Sequence, residues 1–571
     1  MRNKPLIIVF LTSIAIILGY TRSLNYFNII PFIFHAAYIV STLTLSLLLT
    51  KDSASFQEKF LCVLLWIWAL MMTIPLRLPE GIVSNYPDMI YEKQIIDHIV
   101  SVGRFNFSAP TTYAQGYAYN TMLELLIAEV SLVSGVCLEN ILKYLATFLG
   151  LLTIIFLFGF YEKFMSKSKA VIASFLAGSC SHFIFFCAHT VHYSLALTFF
   201  TLVLFSLTKK ARIWRFLTIL SIFIIVSTHH FSSIVMSCYF IITTIAIPAI
   251  TFLFKKKLWI AEKTTFGAAT LFLVMSISWL LYLAFSFFNK IINLFKNVWL
   301  DIFTKNEVVF PWAARERIIV TPFHMIGDVG VLIFLLMGII GFLLTFTGKK
   351  IKKFRTLLPF ATSGAFIFIS ATLVFLKYTS MTDLLTRALD YLYFSFAPFS
   401  LFAILKISRA FRSYISRKIL STLLICFICI SALYYGYASR SYRYEYASPL
   451  DKEDVRFPLY EWKSAGLFAR DHIKQAVKIW GDKIAFNYIG GYGNIDVQTL
   501  PAELNITLLN WLKTYPFLGD LVVLRKSMIY APYLNYYVDE KEFHYILECN
   551  NLLYTSGEIV TLQLVILSVG P

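Results

Sequence analysis

Two carboxylates four residues apart, Asp88 and Glu92, stand in a polar stretch, residues 81–118, of a chain that is otherwise mostly apolar. That spacing puts both on one face of a helix. Met89, Ile90, Ile95, Ile96, Ile99 and Val100 supply the helix with an apolar face. A carboxylate held at a membrane interface can take a proton from a hydroxyl or bind a metal. Asp88 is equally a natural N-cap for the same helix. Tyr91 lies within the same turn, and Asp97 and His98 lie further along. His98 is about 15 Å down the axis from Asp88, too far to share its surroundings. Arg104, after Gly103, suits either a phosphate or a snorkelling anchor.

Other ionisable groups collect near the ends of apolar runs. His229 and His230 sit in the sequence STHHFSS, and ionisable side chains at membrane depth are functional candidates by default. His189 and His192, spaced i,i+3, permit two metal ligands on one helix face. No third ligand lies within sequence reach, so no metal site is assigned, although a divalent metal is compatible with the carboxylates. The cations suited to an anionic ligand are Arg387, with Lys377 and Asp383 nearby, and Arg315 and Arg317 in the loop 289–324. Arg387 leads, because an apolar run follows it directly and few basic residues compete.

Composition decides what positions these groups. Of 571 residues, 58% are hydrophobic and 14% charged, and the net charge is +18. Soluble chains average about 25% charged residues. Mean hydropathy is +0.71. The basic residues form short clusters between apolar runs, the pattern of cytoplasmic anchors rather than of a nucleic-acid surface. With the N-terminus inside, runs 6–20, 27–49 and 60–76 cross in turn and deliver residues 81–118 outside. Run 119–136 carries Glu124 and Glu129. If it crossed, every later basic cluster would be inverted, so it is expected to lie in the interface or to dip in and return. The remaining spans are 141–159, 171–186, 191–207, 213–228, 231–254, 266–288, 326–346, 357–376, 389–405 and 419–435. The total is about thirteen crossings, with the C-terminus outside.

From residue 438 the apolar runs stop. A helix over 460–480, the sequence GGYG at 490–493 and β-like runs at 521–524 and 558–567 predict a small α/β domain of about 130 residues outside the cell. Asn106 and Asn505 open N-glycosylation sequons that would share that side. The eight cysteines show neither metal spacing nor a disulfide framework.

The segment YPDMIYEKQIIDHIVSVGRF at 86–105 closes an outward span and opens an interfacial loop; many spans and an outer tail follow. This arrangement resembles the GT-C class of glycosyltransferases that use polyprenyl-phosphate-linked donors, among them protein mannosyltransferases and lipid A aminoarabinose transferases. The ending LYTSGE at 553–558 is similar to tails of archaeal members. The resemblance implies an α-helical polytopic membrane fold and sugar transfer from a polyprenyl-phosphate-linked donor at the outer face of the plasma membrane. It also implies that Asp88, the acidic residue of the first loop, is catalytic. The acceptor would be a protein, a lipid or a glycan. The implied domains are two additional spans over 1–59, a GT-C-like module over 60–437 with an outer loop at 79–138, and the outer domain at 438–571. The sequence departs from the class in those additional spans. It also lacks a second carboxylate adjacent to Asp88, which weakens any implied metal dependence, and no W-W-D-like motif points to an oligosaccharyltransferase. A transporter or flippase of lipid-linked sugars would need charges inside the spans and repeated halves; an O-antigen-type polymerase would do without Asp88.

Overall fold

In hydrocarbon a chain must satisfy its own backbone groups, so apolar runs of span length have to be helical. The computed structural model describes residues 3–23, 32–77, 87–103, 121–254, 262–282, 322–347, 354–377, 382–411, 413–446, 459–472, 479–481, 497–499, 521–525, 551–556 and 559–563. The helices are α1 (Lys4–Ser23), α2 (Phe32–Thr50), α3 (Phe56–Arg77), α4 (Pro87–Val102), α5 (Met122–Ser134), α6 (Leu138–Tyr161), α7 (Lys167–Gly178), α8 (Ser181–Cys187) and α9 (His192–Ser206). They continue with α10 (Arg212–Thr228), α11 (His230–Phe254), α12 (Glu262–Tyr282), α13 (Pro322–Thr347), α14 (Leu358–Lys377), α15 (Thr382–Ser408), α16 (Tyr414–Tyr446) and α17 (Leu459–His472). Within the described residues the apolar runs read as spans fall largely on these helices, except that 171–186 is divided between α7 and α8. Among the described residues nine helices are long and apolar enough to cross a bilayer, or ten if the pair α7–α8 is one broken span. The chain is a multi-pass membrane protein.

The chain divides into two units, the first comprising residues 1–79, 143–304 and 319–441. Its hub is α15: the window Arg387–Ser408 is 89% buried, the largest share of any candidate span. Helices α7, α8, α13 and α14 pack against it. Small residues allow the close crossings. A Cβ on Gly341 of α13 would stand 1.9 Å from the backbone oxygen of Phe399, and one on Gly364 of α14 would meet Ser395 Oγ at 2.5 Å. Hydroxyls bridge helices where water is absent. Tyr239 bonds Ser395 at 2.9 Å, Thr243 bonds Ser363 at 2.7 Å, and Tyr38 donates to the Cys429 carbonyl at 2.8 Å.

At one end of this unit the turn between α2 and α3 is closed by a capping box. The Ser55 amide donates to Glu58 Oε2 at 2.9 Å, and the Glu58 amide donates to Ser55 Oγ at 3.2 Å. In the same turn Asp52 accepts from Lys418 Nζ at 2.8 Å and from the Tyr414 hydroxyl. The Lys418 bond first, then Tyr414, holds the Asp52 carboxyl below its usual range. A depressed folded-state pKa gives stability that is present above the unfolded value of about 3.9 and lost as pH falls through the folded value. The Asp52 side chain is 78% exposed, so solvent screening limits this to below about 1 kcal/mol. Asp52→Asn is therefore expected to lower the thermal midpoint slightly at pH 7, with the gap to wild type closing at acid pH. A constant gap across that range would remove the charge from the account.

The second unit comprises residues 80–142, 305–318 and 442–571. In it α4 packs on α5. Pro87 opens α4, where its missing N–H costs nothing. Asp88 is thus in the first helical turn, not at the N-cap expected from sequence. Helix α5 has 13 residues and stops at Gly135, whose φ of 67° favours glycine. At about 1.5 Å per residue it is too short for a bilayer core of about 30 Å. In the tail, strands β1 (Ile479–Gly481), β2 (Val497–Thr499), β3 (Leu521–Arg525), β4 (Asn551–Ser556) and β5 (Ile559–Gln563) form one sheet in the order β2-β1-β3-β5-β4. Strand β1 runs parallel to β2 and β3, whereas β3–β5 and β4–β5 are antiparallel. The helix expected over 460–480 ends at His472. Ile479 and Trp480 are instead paired with Val497–Gln498 and Leu521–Val522, since β-branched and aromatic side chains gain more in a half-buried sheet.

Candidate functional site

The run 171–186, expected as one straight span, breaks between α7 and α8 and bends by 77°. Cys180 stands at the break with non-helical backbone (φ −56°, ψ 122°), and α8 leaves in a new direction. An extended residue, Val191, precedes α9. These two interruptions turn Cys180, His182 and Tyr193 toward one residue of α15, Asp390.

Asp390 is fully buried. Its Oδ2 accepts from the Tyr193 hydroxyl at 2.9 Å and lies 2.7 Å from His182 Nδ1; its Oδ1 accepts from Cys180 Sγ at 3.2 Å. Facing an ionised carboxylate, which only accepts, His182 Nδ1 would be the donor. Three hydrogen-bond partners offset the cost of placing a carboxyl group where water cannot reach. The ring of His182 lies 4.5 Å from Phe186, and the rings of Phe186 and Tyr193 meet edge to face at 5.1 Å.

Arg387 is one helical turn before Asp390. Its guanidinium carbon lies 5.3 Å from the Tyr193 ring and 5.5 Å from that of Phe186, within cation–π range of both. The Tyr193 hydroxyl also reaches the Arg387 carbonyl at 3.3 Å. His229, at the C-cap of α10, brings its ring to 6.0 Å from Tyr193. Its Nδ1 accepts from the Ser232 amide at 3.0 Å and lies 2.6 Å from Ser232 Oγ, which puts the proton of a neutral ring on Nε2.

The structure thus joins two residues singled out from sequence, Arg387 and His229, to four that were not: Cys180, His182, Tyr193 and Asp390. His192 is buried in the first turn of α9. Among the described residues no group of three His, Cys, Asp or Glu side chains is arranged to hold a metal ion. In the second unit Glu92 is fully buried on α4, as is Glu124 on α5. Asp88 and Glu92 keep their i,i+4 relation along α4. The side chains of Asp88, Tyr91, His230 and Lys377 lie outside the described residues, as do Arg104, Arg315 and Arg317 altogether. One sequence signal for Asp390 existed: it is an acidic residue inside an apolar run, costly unless it is used.

No family model matches the chain, and no curated protein matches it. Solved structures do. The apo oligosaccharyltransferase of Archaeoglobus fulgidus aligns with a TM-score of 0.51 at 11% identity, covering 82% of this chain and 70% of that one. The apo form of ArnT from Cupriavidus metallidurans aligns with a TM-score of 0.48 at 11% identity, covering 90% and 99% respectively. Both are GT-C glycosyltransferases. The oligosaccharyltransferase likeness carries the fold assignment, and its low identity carries nothing finer. The GT-C resemblance read from sequence is borne out as a fold.

Proposed function

We propose that the protein transfers a sugar from a polyprenyl-phosphate-linked donor to an acceptor at the extracytoplasmic face. In this reading about thirteen spans carry the site, the N-terminus is cytoplasmic, and the tail from residue 438 is an outer domain that helps to choose the acceptor. Asp88 orients or deprotonates the acceptor hydroxyl, with Glu92 beside it, and the lipid phosphate leaves. Arg387 meets the donor phosphate, with Arg315, Arg317 and Lys377 as further cations. The observation that carries the reading is Arg387 itself: a guanidinium held by aromatic faces within a GT-C-like membrane fold. A planar guanidinium with fixed donors matches phosphate better than a point charge does.

In proteoliposomes supplied with a polyprenyl-phosphate sugar, Arg387→Gln is expected to raise the donor KM about tenfold and to leave kcat within about threefold. An unchanged KM would remove Arg387 from donor binding. The buried Asp390–His182 pair favours one second reading, since a proton-coupled transporter of lipid-linked sugars needs ionisable groups inside its helices. The same proteoliposomes separate the two. Transfer yields free polyprenyl phosphate and a labelled acceptor, whereas transport moves an intact fluorescent lipid-linked sugar between leaflets.

A further inference from the structure

We propose that Asp390 is a positioning residue that aims Arg387 at an anionic lipid phosphate, acting through the two aromatic rings that flank the guanidinium; this rests on the reading of Arg387 as the donor-phosphate cation. An arginine on a long stem holds one direction only when its surroundings fix it. Here two rings lie within cation–π range of the guanidinium, and both are governed by one carboxylate. Tyr193 is tethered directly, its hydroxyl donating to Asp390 Oδ2 at 2.9 Å. Phe186 is set indirectly: its ring packs at 4.5 Å against His182, whose Nδ1 bonds the same Oδ2 at 2.7 Å.

The carboxylate and the guanidinium share α15, three residues apart, while the rings come from α8 and α9. Asp390 therefore ties both flanking helices to the helix that carries the cation. Cys180, donating to Oδ1 at 3.2 Å, fixes the carboxylate from the other side, at the break between α7 and α8. Attraction to both rings fixes where the guanidinium sits, and its planar N–H fork is a geometry that suits phosphate oxygens. A fully buried carboxylate with three donors is a costly way merely to join helices, because apolar packing does the same work without desolvating a charge.

The test is lipid binding to the purified full-length protein in detergent, comparing undecaprenyl phosphate with the uncharged undecaprenol. Tyr193→Phe keeps the ring and removes the tether; Asp390→Asn removes the charge that holds both rings. Each is expected to weaken undecaprenyl phosphate binding about tenfold and to leave undecaprenol within about twofold, and the double variant is expected to be no worse than the single ones. Equal weakening toward both lipids would make Asp390 a packing residue and overturn the inference. Wild-type phosphate binding in both variants, with binding lost in Arg387→Gln, would overturn it while leaving the phosphate role of Arg387 standing. Wild-type binding in Arg387→Gln would bring down that role and the inference together. Should Asp390→Asn fail to fold, Tyr193→Phe decides alone.

Discussion

Asp88→Asn is expected to lower sugar transfer about 10²- to 10⁴-fold, the range typical of a lost general base. The protein should otherwise stay intact. Asn has the same shape, and Asp88 lies in the first turn of α4 behind Pro87, where the helix is already well started. Its charge also favours the helix N-terminus, by about 0.3–1 kcal/mol. Capping and catalysis therefore predict different outcomes. If Asp88 serves only the helix end, Asn costs a degree or two of thermal midpoint and transfer continues. If Asp88 takes the acceptor proton, transfer falls by orders of magnitude with no more than the same small loss of midpoint. Glu92→Gln is the companion measurement. Glu92 is fully buried in the same helix, so a structural role for it would show as lost folded protein rather than as a slower reaction.

Gly341→Ala is expected to destabilise the membrane unit by about 1–3 kcal/mol, the usual cost of overpacking. The added methyl would stand 1.9 Å from the Phe399 carbonyl oxygen and 2.5 Å from its carbon. Both are backbone atoms of α15, so no side-chain rotamer can relieve the clash, and α13 must move away. Gly267→Ala is the control. It lies in α12 with nothing within 4 Å of the added Cβ, so the gain in helix propensity, about 0.5–1 kcal/mol, is uncompensated. Thermal unfolding in detergent should separate the two variants in opposite directions. Equal midpoints would mean that α13 does not cross α15 at Gly341. The consequence reaches the site, because α15 carries both Arg387 and Asp390 on its N-terminal part.

The GT-C resemblance was legible because its carriers are local: an apolar run, then a polar loop opening on Asp88, then further runs separated by basic clusters. The expectation that 119–136 does not cross is argued the same way, since charge asymmetry acts over the whole chain and one inverted span would invert all the later ones, and α5 at 13 residues is short for a span. The tail was harder. The strand at Ile479–Gly481 reads from sequence as the end of a helix because three residues hold no period, and its partners at Val497 and Leu521 lie on other strands. Arg387 and His229 were found from their places at the ends of apolar runs. The run 389–405 reads as a span from its length, and its acidic second residue is the one local sign of Asp390.

What the sequence determined by itself was where helices must form, since a bilayer leaves an apolar run no other way to pair its backbone. It also marked which helix opens on Asp88. What only the tertiary structure decided was the company of Arg387. Asp390 meets His182 across 208 residues and Tyr193 across 197. No spacing rule spans such distances, because these contacts depend on the bend at Cys180, on the extended Val191 and on the burial of α15 among its neighbours. Local pairing of the backbone writes itself into the sequence as a period; the meeting of one carboxylate with side chains from α7–α8 and α9 is set by packing, which leaves no period to read.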